Sequence, residues 1–414
     1  MGFVEASSAR HVAEKKRLIQ SYEKSEENWS VTHPRYRMLQ ALHGFVRYQE
    51  RYQAQVQEWR EAYESLPEAQ RKVLESATTY HKKFDRLMKL WEINGKMSEE
   101  IVKHALSFYH IPQHELDGYI NEAESIEQWD NQAAVSDAIN HLARDWSTDG
   151  LHERVPTFAP ILETIKEHFP DRSTRKEGPV RILQPGIGVG RLPHDMARLG
   201  YVEVTSNEWS QYMNVVYRYM ETLTVPNSVS WHPYIDWWSH QPTPEEHEHK
   251  VIIPDIAVNA SSVLHVEGDF MTVFENQTAH YDVVVTLFFI DTGKNTLEYL
   301  DNINRLLKPG GFWINMGPLL YGTSPQLQMS LEEVVNVSER MGFEFLETDE
   351  KWGEITIPGK TVRGQELGYL FNKRAMRRNM YMAQFSVAKK TGRDYPEFPK
   401  TENEPFNFAP GSKF

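Results

Sequence analysis

Val180-Arg-Ile-Leu-Gln-Pro-Gly-Ile-Gly-Val-Gly-Arg191 decides the fold. The run begins as an apolar strand, ends as the start of a helix, and sets Gly186, Gly188 and Gly190 in the turn between them. Glycines at such a turn let a ligand approach the backbone closely and aim N–H groups at it from the helix start. Downstream, short β-rich runs alternate with helical stretches, which predicts a parallel sheet with crossover helices. The strands expected are 180–184, 201–206, 263–267, 281–288 and 311–316, in the order of a doubly wound sheet. A helix over 330–341 follows, then strands near 343–347 and 381–388 that read as an antiparallel hairpin at the sheet edge.

Three signals in sequence order specify the ligand of the glycine turn. Its spacing is G-x-G-x-G, where a dinucleotide-binding turn prefers G-x-G-x-x-G, which favours S-adenosyl-L-methionine. Glu208 ends the second strand, where an acid accepts hydrogen bonds from ribose hydroxyls. Gly268-Asp269-Phe270 follows the third strand and suits adenine, the Asp accepting from the exocyclic amine and the Phe packing on the ring. The run Leu306-Leu-Lys-Pro-Gly-Gly311 closes a helix before the fifth strand and is typical of methyltransferase sheets. The fold class expected is α/β, a class I methyltransferase doubly wound sheet.

Upstream, residues 8–145 carry apolar side chains at helical spacing, for example Leu39, Leu42, Phe45 and Val46. Pro34, Pro67 and Pro112 stand where one helix would end and the next begin. The division expected is an all-α region over 1–170 covering the ligand site, a catalytic domain over 171–392, and a tail over 393–414. Within the catalytic domain, 231–262 is a long insertion, and such inserts are often functional. Its run Glu245-Glu-His-Glu-His249 reads as a solvated loop in preference to a metal site, because sulfonium methyl transfer needs no metal.

Composition narrows the partners. Lys and Arg total 45 against 58 Asp and Glu, and a net charge of −13 offers no steering toward nucleic acid or anionic lipid. Small molecules or dipeptides are the partners expected, and the sequence leaves a homodimer open. The absence of cysteine removes disulfides, thiolate metal sites and a Cys nucleophile, in keeping with a reducing compartment. No apolar run long enough for a signal peptide or a membrane span exists, which points to a cytoplasmic protein, with the nucleus also open. Ala6 stands where a myristoylation motif needs a hydroxyl, and the terminal Ser412-Lys413-Phe414 is a distant relative of the peroxisomal S-K-L address.

Asp291, in Phe288-Phe-Ile-Asp-Thr292, is the carboxylate at the end of the fourth strand, where ligands bind in open α/β sheets. The bland alternative is a helix N-cap for Lys294 onward. Together with Pro185-Gly-x-Gly-x-Gly-Arg-Leu192, Asn207-Glu-Trp209, Gly268-Asp-Phe270 and Trp313-Ile-Asn-Met-Gly-Pro-Leu-Leu-Tyr321, this segment resembles the carnosine N-methyltransferase family. The upstream Phe45-Val-Arg-Tyr48 and Arg144-Asp-Trp-Ser147 extend the resemblance over roughly residues 33–390. The resemblance implies that Arg144 reaches the methionine carboxylate of S-adenosylmethionine, Gly186 contacts it, Glu208 holds its ribose, and Asp269 with Phe270 its adenine. It further implies that Asp291, Tyr321 and Tyr381 hold the acceptor imidazole and the rest of a dipeptide. Three positions depart from the family pattern: His141 stands where Gln is usual, Gly322 replaces a His, and Leu287 occupies a place where Cys occurs. His141 and Leu287 remain cofactor-site candidates, and Gly322 alters the acceptor pocket.

Methyl transfer to nitrogen is an in-line displacement, so the acceptor must present a free lone pair with reacting atoms about 3 to 3.5 Å apart. If Asp291 accepts the distal imidazole N–H, the proximal nitrogen is unprotonated and aimed, and the same carboxylate stabilises the cationic product. The reaction expected is carnosine to anserine. The alternatives are another small metabolite or peptide amine as acceptor, or a catalytically silent binding module on the same fold.

Overall fold

The computed structural model describes residues 8–25 and 29–392, together with Ala6, Tyr395 and Phe398. The expected tail, including Ser412-Lys413-Phe414, otherwise lies outside the described residues. Helices come first: α1 (Ala9–Ser21), α2 (Pro34–Glu64), α3 (Glu68–Ala77), α4 (Tyr80–Phe108), α5 (Gln113–Ser125), α6 (Gln132–Trp146) and α7 (Leu151–His168). The three prolines act as expected at helix starts. Pro34 opens α2, where a missing N–H costs nothing, while Pro67 and Pro112 are the N-cap residues of α3 and α5.

The alternating part follows as β1 (Val180–Pro185), α8 (Arg191–Ala197), β2 (Val202–Glu208), α9 (Gln211–Glu221), β3 (Val229–Trp231), α10 (Pro244–His247), β4 (Val251–Ile253), β5 (Val263–Glu267), β6 (Tyr281–Leu287), α11 (Thr296–Leu306) and β7 (Leu307–Gly317). It ends with α12 (Leu331–Arg340), β8 (Phe343–Phe345), β9 (Glu354–Ile355), β10 (Arg363–Gly368) and β11 (Met380–Lys390). The main sheet runs β5-β2-β1-β6-β7-β11-β10-β9, with β8 also paired to β11. β1, β2, β5, β6 and β7 pair in parallel. Val283, Val284 and Val285 of β6 are fully buried, because helices cover both faces of a parallel sheet and its central strands read as unbroken apolar runs. The strand order reverses between β1 and β6, creating the crevice at their carboxyl ends that such sheets use for ligands.

The late strands differ from the sequence expectation in position. β11 does pair antiparallel with β8, through Ala388, Lys389 and Lys390. It is not an edge, however: it lies between β7 and the β8 and β10 strands. The hairpin partner of its first half is β10, which the sequence does not announce, since Arg363-Gly-Gln-Glu-Leu-Gly368 is poor in β-branched and aromatic residues.

The insertion over 231–262 folds back rather than projecting. β3 and β4 form a small antiparallel sheet, and Trp231, Ile235, Val251 and Val258 join the core built by α2, α4, α6 and α9. The run 245–249 is therefore not a solvated loop. His247 is buried, Glu248 binds Arg86 of α4 at 3.0 Å, His249 meets Asp149 at 2.6 Å, and Glu246 meets Arg374 at 3.2 Å. α7 packs Phe158, Ile161 and Ile165 into the core of the main sheet.

Asp255 locks these layers together. Its carboxylate accepts from Arg154 of α7 at 2.6 Å and pairs with Arg191 of α8, while its N–H donates to the Trp146 carbonyl at the end of α6. All three side chains are buried. Removing one member of a buried ion pair strands the others, so Asp255→Ala should lower unfolding stability by about 3 kcal/mol, read from denaturant titration. A loss within about 0.5 kcal/mol, the range of an ordinary surface change, would show that the two guanidiniums find water instead.

Candidate active site

The glycine turn adopts backbone conformations that only glycine takes without strain. Gly186, Gly188 and Gly190 have φ of 63°, 59° and 81°. A Cβ on Gly186 would lie 2.3 Å from the Phe289 ring, and one on Gly190 would lie 2.3 Å from the Tyr217 ring. Gly188 is different, since the nearest atom to its Cβ would be His141 Cδ2 at 3.5 Å, an ordinary contact. Phe289 belongs to the segment after β6, so the end of that strand lies against the turn.

Glu208, at the end of β2, holds the turn from the other side. It accepts from Gly188 N–H at 2.9 Å, Trp209 N–H at 2.9 Å and Ser210 N–H at 2.8 Å. Burial pushes this carboxyl above its usual range, and the three N–H groups offset part of that shift. A carboxylate offers about four lone-pair directions, so one remains on Oε2 beside the turn. Asp269 lies beyond β5 with its carboxyl likewise raised by burial, and it accepts from Met271 N–H at 2.9 Å. Phe270 is buried and enclosed by Phe274, Phe289 and Tyr299, with ring centroids 5.5 to 6.1 Å away.

α6 brings the upstream candidates to the same place. The Trp146 indole N–H donates to the Val189 carbonyl inside the turn at 2.7 Å. His141, one face of the helix away, hydrogen-bonds the Asp137 carbonyl through Nδ1 at 2.7 Å and meets the Tyr369 hydroxyl through Nε2 at 3.2 Å. Arg144 pairs with Asp145 at 2.6 Å and lies 5.1 Å above the Tyr369 ring.

Asp291 is not a helix cap. Asn295 caps α11, its side chain accepting from Leu297 N–H. Asp291 instead accepts Leu320 N–H at 2.6 Å, joining the carboxyl end of β6 to the segment leaving β7. Burial raises its pKa, offset by backbone N–H groups of Leu320, Asp291 and Tyr321. The loop it holds is closed by Tyr321, whose hydroxyl donates to the Met329 carbonyl at 2.8 Å and accepts from its N–H at 3.1 Å. Leu287, the last residue of β6, is buried and pairs with Met316. Beside these lies an aromatic group of Phe288, Tyr369 and Tyr381, with ring centroids 4.7 to 6.1 Å apart. No described residue hydrogen-bonds the Tyr381 hydroxyl. Burial pushes the Tyr369 phenol up to about 12, so it stays protonated at neutral pH.

The structure thus gathers the Gly186 turn, Glu208, His141, Leu287, Asp291 and Tyr381 at one sheet edge. Tyr321 is there by its ring and its loop, with its hydroxyl already engaged. Tyr369 was not found from sequence. It follows the unannounced strand β10, and nothing in Glu366-Leu-Gly-Tyr-Leu-Phe371 marks one aromatic residue over another.

Strand order and a glycine turn gripped by an acid from the next strand define a class I methyltransferase. The carnosine N-methyltransferase family matches residues 121–392 of the chain. The chain belongs to this family and is a methyltransferase enzyme. It is 33% identical over 296 residues to the carnosine N-methyltransferase of Schizosaccharomyces pombe, covering 66% of this chain and 77% of that one. It is 30% identical over 294 residues to the Mus musculus carnosine N-methyltransferase, covering 68% and 71%. Among solved structures, Synechocystis magnesium protoporphyrin IX methyltransferase with bound SAH is 11% identical with a TM-score of 0.36, covering 64% of this chain and 99% of that one. Among the described residues, no helix is long and apolar enough to cross a membrane.

The first two glycines of the turn should respond unequally to a methyl group. Gly188→Ala meets only the left-handed backbone cost, roughly 1 to 2 kcal/mol. Gly186→Ala adds a clash with Phe289, for a further 1 to 3 kcal/mol or so. Thermal unfolding of the two variants should therefore rank Gly186→Ala as clearly the less stable; equal melting temperatures would contradict the close approach of Phe289.

Proposed function

We propose that this enzyme methylates the proximal imidazole nitrogen of carnosine, giving anserine. The observation that carries the reading is Asp291: a buried carboxylate at the carboxyl end of β6, next to the strand that feeds the glycine turn. S-adenosylmethionine, when bound, supplies an electrophilic sulfonium methyl group. The turn fits it, because a cradle closed to any Cβ at Gly186 and Gly190 and a carboxylate with one open lone-pair direction suit a nucleoside. Glu208 would hold the ribose, Asp269 the adenine amine, and Arg144 with His141 the methionine end.

On the acceptor side, Asp291 retains lone-pair capacity after accepting its backbone N–H groups. That capacity can take the distal imidazole N–H, which fixes the tautomer and leaves the proximal nitrogen without a proton. As positive charge develops on the ring, the same buried carboxylate faces it in surroundings of low dielectric. Phe288, Tyr369 and Tyr381 flank the cation with π faces, worth roughly 0.5 to 2 kcal/mol. Tyr381 has a hydroxyl to offer the dipeptide, and Tyr321 shapes the pocket through the loop it pins to Met329.

Asp291→Asn keeps an oxygen for Leu320 N–H and loses the charge. It should lower kcat on carnosine at least 100-fold while leaving the donor affinity, measured by calorimetry, within about threefold, since a preorganised charge of this kind contributes roughly 3 to 4 kcal/mol. Wild-type turnover in that variant would remove the role of the carboxylate. In the wild type, kcat/KM should rise with pH along the acid limb, because both the carboxylate of Asp291 and a neutral imidazole, of ordinary pKa about 6.5, are required. Raising the Asp291 pKa by burial moves that limb upward, toward neutral pH. Mass spectrometry and NMR of the product identify the methylated nitrogen.

A further inference from the structure

Beside Arg144 and Tyr369 lies a cavity of about 360 Å³ that shares only Arg144 with the roles above. It is bounded by the end of α6, by the 3-10 turn Pro233–Asp236 of the insertion, and by residues 370–379 between β10 and β11. Tyr369 faces Phe288 and Tyr381, whereas Leu370 and Phe371 line the cavity. Leu370 makes this change of side with φ of 49°, and the Glu153 carboxylate fixes the bend by accepting the N–H groups of Leu370 and Phe371 at 2.7 and 3.3 Å.

Polar groups in this lining lack partners among the described residues. Asn372 is buried, and its Nδ2 has no acceptor; Gln241 Oε1 likewise has no donor. Buried polar atoms in folded proteins are nearly always paired, so orphans around a cavity mark a place for a polar ligand or ordered water. The carboxylates of the lining are not equivalent. Asp149 is matched by His249 at 2.6 Å and Arg374 at 3.5 Å, and Glu153 by the two N–H groups and His152 at 3.6 Å. Among the described residues Asp236 has only neutral donors: the Asn140 amide at 3.5 Å, the Ser136 hydroxyl and its own backbone N–H. Burial pushes its pKa up to about 6, as expected of a carboxylate without a cation. Of the two lining guanidiniums, Arg144 is committed to Asp145 and Arg377 stands exposed at the rim. Tyr234 and Trp237 flank Asp236 in the chain and present aromatic surface to the same space.

A carboxylate short of a cation, in a cavity also lined by two aromatic side chains, is the chemistry that recognises an ammonium group. We propose that this cavity receives the ammonium end of the dipeptide acceptor, with Asp236 as counter-ion and Tyr234 and Trp237 as walls. The proposal rests on the dipeptide reading above, and it gives the insertion over 231–262 a part in substrate selection. The imidazole is then held at Asp291 and the amino terminus at Asp236, with the dipeptide running past Tyr369.

The test compares carnosine with propionylhistidine, which keeps the imidazole, carboxylate and chain length but replaces the ammonium by hydrogen. With saturating S-adenosylmethionine, Asp236→Asn should raise KM for carnosine about tenfold or more, leave kcat within about twofold, and leave KM for propionylhistidine unchanged. Trp237→Leu should show the same selectivity more weakly, and calorimetric donor affinity equal to wild type would show both variants to be folded. Equal changes for the two acceptors, or no change for carnosine, overturn the proposal while leaving the dipeptide reading intact. Absence of wild-type turnover on both acceptors is a separate result that overturns the reading and the proposal together.

Discussion

The grip of Glu208 on the glycine turn is the constraint around which the site is built. The turn leaves β1 in left-handed conformations that expose its N–H groups, and a buried acid from the neighbouring strand collects one of them along with two from the residues that follow it. Burial alone would favour the neutral acid, so the N–H groups and the charge of the site depend on each other. With the turn fixed, Phe289 can pack against Gly186 with no side chain in between, which brings the end of β6 and hence Asp291 to the same edge. The Trp146 bond to Val189 then fixes α6 to the far side of the turn, carrying His141 and Arg144 with it.

Much of this was legible in the sequence because separate local signals agreed. The run over 281–288 read as a strand alternating with helical stretches, and the glycine run stood at the strand-to-helix junction its chemistry needs. Glu208 and Asp269 could be placed from strand order alone. Asp291 was found for the right location but with an uncertain partner: a carboxylate three residues before a possible helix start looks like a cap, and only the fold shows Asn295 in that place with Leu320 as the true donor.

What stayed hidden depends on long-range pairing. β10 carries glycines and charged residues that read as loop, and its strand character comes from the ladder with β11. Tyr369 was lost with it. The acidic, histidine-containing run in the insertion looked solvent-borne because its partners, Arg86, Asp149 and Arg374, lie far away in sequence on three separate segments. Asp255 was invisible for the same reason, since the value of a carboxylate is set by which guanidiniums the fold brings to it.

The interior placement of β11 has a consequence for how the molecule comes into being. Among the described residues β11 comes last in the chain yet is inserted between strands made earlier, so until it has been synthesised β7 offers an unpaired, apolar margin to any passing chain. The emerging polypeptide must wait, with its sheet open, for that strand. Because that segment also carries Tyr381, the aromatic group beside Phe288 and Tyr369 is completed in the same event that seals the margin, and a chain stalled early is exposed to aggregation.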